Sequence, residues 1–116
     1  MIILIVEDEP LLAMLAVDLV EEAGFEAIEA RDADEAIVIL ETVSDIRLVM
    51  TDIDMPGSMD GLRLAMAVRN RWPPIEIIIV SGKQRPSPEQ LPDRAIFFSK
   101  PYNPQIMAQT IHRMAA

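Results

Sequence analysis

Five short apolar runs, at residues 2–6, 25–30, 46–51, 75–80 and 95–98, recur along the chain, and between them the apolar spacing turns helical. The first, third and fourth runs are rich in Ile, Val and Leu with almost nothing polar to give to a solvent face. Such runs read as strands buried on both faces of a parallel sheet. Pro10 suits a first helical turn, Leu12, Leu15, Leu19 and Val20 follow at helical spacing, and Gly24 supplies a left-handed stop. Asp32 or Asp34 caps a second helix with Ala36, Ile37, Leu40 and Val43 on its apolar face. Asp60 caps a third, carrying Leu62, Ala65, Met66 and Val68, which Pro73-Pro74 end. Asn103 followed by Pro104 opens a last helix with Ile106, Met107, Ile111 and Met114 apolar. Strands alternating with amphipathic helices predict an α/β fold with helices on both faces of the sheet. With right-handed crossovers, that becomes a doubly wound five-stranded parallel sheet of flavodoxin-like type, order 2-1-3-4-5. At 116 residues, the chain reads as one domain over 1–116.

The crossover between the fourth and fifth strands breaks the pattern. Pro86, Pro88 and Pro92 interrupt it, and a proline inside a helix costs about 3 kcal/mol through a lost hydrogen bond and a clash with the preceding turn. The segment therefore has room for about one turn, with Ser87 as N-cap, Pro88 at the first helical position and Glu89 near the positive end. The fourth helix is expected to be short or missing.

In open α/β sheets, chemistry sits just outside the carboxyl ends of the strands. Here those ends carry Glu7 and Asp8 after the first strand, Asp52 after the third, Ser81 after the fourth and Lys100 after the fifth. The first and third strands are neighbours in the expected order, so three carboxylates meet. Each close pair repels by roughly 3 kcal/mol at ~5 Å and an effective dielectric of ~20, which invites a cation. All-oxygen ligation points to Mg²⁺ or a similar hard ion. Lys100 and Ser81 add a positive charge and a hydroxyl suited to phosphoryl oxygens. The set reads as a phosphoryl site with one carboxylate placed to attack. Taken singly, each residue has a plain reading as a solvated cap, a turn or a loop; their coincidence at four strand ends carries the inference. A net charge of −9 argues against a phosphate-backbone partner, which needs a basic surface, so no nucleic acid is expected. No membrane span is legible, and Met1 runs almost directly into a strand, leaving no room for a signal peptide. Without Cys there is no disulfide or thiolate chemistry, and a cytoplasmic location is the expectation.

Val6-Glu7-Asp8-Glu9, Asp52-Ile53-Asp54-Met55-Pro56 with Met59-Asp60-Gly61, Val80-Ser81-Gly82 and Phe98-Ser99-Lys100-Pro101 together resemble the receiver domain of two-component response regulators. The resemblance covers essentially the whole chain. It implies that Asp52 accepts a phosphoryl group from a phosphohistidine on a histidine kinase or phosphotransfer protein. It further implies that Glu7, Asp8, Asp52 and the backbone carbonyl of Asp54 bind Mg²⁺, and that Lys100 contacts the phosphoryl group. Ser81 and Phe97 would be the switch pair, Asp54 and Lys83 the rim residues that modulate access of water, and the Lys100–Pro101 bond would be cis. Being oppositely charged, Asp54 and Lys83 are expected to be able to pair across the mouth. The face built from the fourth helix, fifth strand and last helix would meet an output protein whose identity is unknown, and here the proline-stiffened segment stands in that place. Two further departures from the family stand out: Gly57-Ser58 make the loop after Pro56 one residue longer, and the switch hydroxyl is Ser rather than Thr.

The rival from another class is a small Mg²⁺-dependent phosphohydrolase using an aspartyl-phosphate, with Asp54 as its general acid. A receiver-like domain that no longer signals is a third reading, set against the intact acid, hydroxyl and lysine set. His112, the sole His, reads as a helix-end residue rather than a phosphorelay site; Trp72 reads as a plug for a helix end, and the eight Met residues mostly as core. No effector domain is expected after the last helix, which suits either a stand-alone receiver or one belonging to a longer regulator or hybrid kinase.

Overall fold

The computed structural model describes residues 1–115. In chain order the elements are β1 (Ile2–Val6), α1 (Pro10–Glu22), β2 (Glu26–Ala30), α2 (Ala33–Thr42), β3 (Ile46–Asp52), α3 (Gly61–Arg71), β4 (Glu76–Ser81), a 3₁₀ turn (Pro88–Gln90), β5 (Ala95–Ser99) and α4 (Pro104–Ala115). All strand pairs are parallel, in the order β2-β1-β3-β4-β5. Successive residues on β1 point to opposite faces. Leu4 and Val6 join the core under α2 and α3 with Ala36, Leu40, Leu64 and Val68. Ile3 and Ile5 join the core under α1 and α4 with Ala16, Val20, Met107 and Ile111.

The local signals act as expected. The backbone at Gly24 has φ +95°, and Asp60 and Asn103 accept hydrogen bonds from first-turn amides of α3 and α4. Of the two candidates for α2, Asp32 is the cap, through the Glu35 amide at 2.9 Å. Asp34 instead takes the Ser58 hydroxyl at 2.6 Å and so ties the lengthened loop after Pro56 to the start of α2. Trp72 follows the last residue of α3 and packs against the core, with the Arg71 guanidinium 4.4 Å from its ring centre. His112 lies against the Phe25 ring at 5.3 Å. Three strands run one residue further than the apolar pattern does, because ladder pairing of Asp52 with Val80 and of Ser81 with Ser99 extends them. Asp52 and Ser81 are thus held by the sheet itself.

Between β4 and β5 only Pro88–Gln90 is helical, preceded by Ser87, whose amide donates to Gln90 Oε1 at 2.8 Å. With no regular helix packed over it, the edge strand β5 is half-exposed along its length. What fixes this segment is Arg69 on α3. Its Nε donates to the carbonyl of Asp93 at 2.8 Å, and its Nη1 to those of Pro73 and Ile75 at 2.7 and 2.9 Å. Leu91 and Phe97 pack on the same core. A charged donor shared by three carbonyls is worth about 1.5–3 kcal/mol to stability. Arg69→Ala is therefore expected to lower the unfolding free energy by that amount, and Arg69→Lys to recover little of it, since an ammonium lacks the planar fork. Urea unfolding checks this; a loss within ~0.5 kcal/mol, ordinary for a surface change, would contradict it.

Candidate functional site

The strand ends meet as the topology requires. The amide of Glu7 donates to the carbonyl of Ala30 at 3.0 Å, that of Ile53 to Val80 at 3.0 Å, and that of Lys100 to Ser81 at 2.9 Å. Each residue that brings chemistry is thereby registered to a neighbouring strand. The Lys100–Pro101 peptide bond is cis.

Asp52 is buried, with only 6% of its surface exposed. Its Oδ2 lies 3.4 Å from Lys100 Nζ, while Oδ1 is buried with no hydrogen-bond partner. Lys100 also donates to Glu7 Oε1 at 2.9 Å, and the second oxygen of Glu7 accepts the Glu9 amide at 3.2 Å. Carboxylate oxygens of Glu7, Asp8 and Asp52 come within 4.8 Å of one another. Burial is the main cause that pushes the Asp52 carboxyl up to about 6; Lys100 opposes it, and the charges of Glu7 and Asp54 add to it. Burial works against the Lys100 ammonium, yet the Glu7 hydrogen bond and the charges of Asp52 and Glu7 outweigh it and raise its pKa. One lysine thus pairs with two of three clustered acids, and an orphan anionic oxygen faces the same space. That arrangement fits a hard divalent cation.

Ser81 is 99% buried in the sense that only 1% of its surface is exposed. Its hydroxyl donates to Asp54 Oδ2 at 2.9 Å and accepts from the amides of Lys83 and Gln84 at 3.1 and 2.9 Å. Gln84 Nε2 reaches Asp54 Oδ1 at 2.7 Å. The expected pairing of Asp54 with Lys83 is therefore corrected. Both Asp54 oxygens are taken by Ser81 and Gln84, and no Asp54–Lys83 ion pair is present among the described residues. The turn after Ser81 aims the Lys83 and Gln84 amides at the hydroxyl and lays the Gln84 side chain over Asp54. Phe97 sits on β5, half-buried against the core under α2 and α3.

Gln84 has a role here that the residue pattern did not single out, and Gly61, quoted only as part of a motif, has a steric one. A Cβ built on Gly61 would lie 1.9 Å from the carbonyl oxygen of Asp52, so the start of α3 needs glycine to pass behind the acid. An open groove of about 1010 Å³ runs between α1 and α4 to this site; Leu12, Leu15, Leu19 and Tyr102 line it, and Glu7, Asp52 and Lys100 lie at its end.

The model of the response regulator receiver domain family matches residues 3–112. The chain belongs to that family. It is 36% identical over 81 residues to the nitrogen assimilation regulatory protein NtrX of Azorhizobium caulinodans, a match covering 69% of this chain and 18% of that one. It is 31% identical over 110 residues to the phyllosphere-induced regulator PhyR of Methylorubrum extorquens, covering 94% of this chain and 41% of the other. The receiver chain thus spans less than half the length of these curated relatives. Among solved structures it is similar to the receiver domain of the hybrid histidine kinase CckA, with TM-score 0.82, 28% identity and full coverage of both chains. The receiver is a phosphoacceptor signalling module of two-component systems. Receiver domains bind Mg²⁺ at an acidic pocket, and this one carries such a cluster in Glu7, Asp8 and Asp52. No helix among the described residues is long and apolar enough to cross a membrane.

Proposed function

We propose that the chain is a single receiver module over 1–116 in which Asp52 takes a phosphoryl group from a phosphohistidine on a histidine kinase or phosphotransfer protein. The observation that carries this is the buried, unpartnered Oδ1 of Asp52 beside the Lys100 ammonium. One oxygen of the Asp52 carboxylate attacks phosphorus, the phosphorus–nitrogen bond breaks, and its electron pair returns to the imidazole. Lys100 Nζ, already 3.4 Å from the acid, pairs with a phosphoryl oxygen, and the Ser81 hydroxyl turns to donate to another. Carboxylate oxygens of Glu7, Asp8 and Asp52, with the Asp54 carbonyl, would hold Mg²⁺, which when bound supplies charge neutralisation for the transferring group. The donor reaches Asp52 along the groove between α1 and α4, where Leu12, Leu15 and Leu19 line the wall and Leu15 is 56% exposed. Apolar side chains so placed suit a partner that covers the mouth during transfer. The segment 84–92, with Ser81 and Phe97 behind it, is where the phosphorylated state is displayed to an output protein. We assign the module to the cytoplasm.

The phosphohydrolase reading has less support. A general acid at Asp54 needs a free proton-donating oxygen, whereas both of its oxygens accept hydrogen bonds. Incubation with p-nitrophenyl phosphate and, separately, with acetyl phosphate tests the choice. Labelling by acetyl phosphate without steady turnover of the ester is the expected result; multiple turnovers of the ester would overturn it.

Mg²⁺ is expected to raise the thermal midpoint, because it relieves repulsion among the three acids and binds the folded state alone. At a hundredfold excess over the dissociation constant the gain is about 2.7 kcal/mol. Asp8→Ala should lose that shift, and an equal shift in variant and wild type would count against the assignment.

A further inference from the structure

We propose that the Asp54 carboxylate is a latch that holds Ser81 and the segment beginning at Gln84 in the resting position, and so sets how readily the module switches. The inference rests on Asp52 being the phosphoacceptor. A serine hydroxyl has one proton to donate and two lone pairs to accept with, and at Ser81 all three are committed. The proton goes to Asp54 Oδ2 at 2.9 Å, and the lone pairs take the Lys83 and Gln84 amides at 3.1 and 2.9 Å. Ser81 therefore has nothing left for a phosphoryl oxygen until it releases Asp54. A hydrogen bond to a carboxylate is among the stronger ones a neutral hydroxyl makes, and only 1% of the Ser81 surface is exposed, so water offers little replacement.

The second arm ties the latch to the segment that changes. Gln84 Nε2 donates to the other Asp54 oxygen at 2.7 Å, and Gln84 is the first residue of the proline-broken stretch. Asp54 thus clasps the loop twice, once through the hydroxyl that moves and once through the chain that moves with it. Phosphorylation at Asp52 pulls Ser81 away and leaves the Gln84 arm alone. Asp54 does not touch the reacting atoms through its side chain; it is a positioning residue that stabilises the unphosphorylated arrangement. Removing a contact made only in the resting state shifts the population toward the switched one and tightens binding of any ligand that prefers it.

The test measures the affinity of the Mg²⁺-loaded chain for beryllofluoride, a phosphoryl mimic, by ¹⁹F NMR in wild type, Asp54→Ala, Asp54→Asn and Gln84→Ala. Asp54→Ala removes both arms and the charge. Asp54→Asn removes only the charge, since its amide oxygen still accepts from Ser81 and the Gln84 amide turns over to meet its NH₂. The expected result is binding about tenfold tighter in Asp54→Ala, which is ~1.4 kcal/mol. Asp54→Asn, which keeps the contacts but loses the charge assistance, should show a smaller gain than Asp54→Ala, and so should Gln84→Ala, which removes one arm. Amide resonances of 84–92 in free Asp54→Ala should also move toward their positions in mimic-bound wild type. Equal gains in the Ala and Asn variants would mean that charge alone acts and would overturn the latch. Unchanged or weaker binding in both Asp54→Ala and Gln84→Ala would overturn it too. Wild type that binds no beryllofluoride refutes the phosphoacceptor reading, and the latch with it; wild type that binds while the variants match it refutes the latch alone.

Discussion

Asp52→Asn is expected to make the metal-free protein more stable at neutral pH, by about 1–3 kcal/mol. The carboxyl's pKa stands at about 6 in the fold against an ordinary 3.8, chiefly because the group is buried. At 1.36 kcal/mol per pKa unit, an ionised Asp52 costs the fold up to about 3 kcal/mol. The sign follows from proton binding: the folded chain holds this proton more tightly than the unfolded one. Below about pH 3.8 both states are protonated and the penalty is absent. Between about 4 and 6 the unfolded state ionises first, so the penalty grows, and above 6 it is complete. Asparagine keeps the shape without the charge, and Lys100 retains Glu7 at 2.9 Å. Urea unfolding in chelator at pH 4 and pH 7.5 should show a gap between variant and wild type that opens with pH. A variant less stable than wild type at pH 7.5, or a gap independent of pH, would contradict this account of a site that stores repulsion.

Gly61→Ala is expected to be the most damaging of the four Gly→Ala changes in the chain. The added Cβ would stand 1.9 Å from the Asp52 carbonyl oxygen, 2.7 Å from its carbonyl carbon and 2.8 Å from the Ile53 Cα. These are backbone atoms of the strand end and the residue after it, so no side chain can swing aside. The Gly61 amide also donates to the Ile53 carbonyl at 3.0 Å, which locks α3 against that end. Overpacking a core ordinarily costs about 1–3 kcal/mol; against a fixed backbone, a loss of ~3 kcal/mol or more is expected. Because the displaced strand end carries Asp52, the rate of phosphoryl uptake should fall as well. Stability within ~0.5 kcal/mol of wild type together with an unchanged uptake rate would refute the close-packing argument.

The parts of this molecule written in periodic or residue-type signals are legible in the sequence. The buried runs, the Asp60 and Asn103 caps and the one-turn remnant at Pro88–Gln90 follow from local chemistry, and the order of the sheet from the crossover rule for alternating strands and helices. Topology then carries Glu7, Asp8, Asp52 and Lys100 together, since strand ends have nowhere else to go. Contacts that depend on where a turn aims a side chain were not legible. The expectation that Asp54 pairs with Lys83 rested on charge and spacing, and the turn after Ser81 instead brings Gln84 over Asp54. Arg69 bridges two loops that the helical pattern of α3 says nothing about. Gly61 is needed for an approach of backbones, which no spacing of residue types encodes.

The phosphoacceptor assignment is tested most directly by intact-mass and peptide mass spectrometry after incubation with acetyl phosphate and Mg²⁺. The account predicts a single phosphoryl adduct on Asp52, stable in acid and labile in base, that does not form in chelator and is missing in Asp52→Asn. Labelling that persists in Asp52→Asn, or that proceeds equally in chelator, would contradict it.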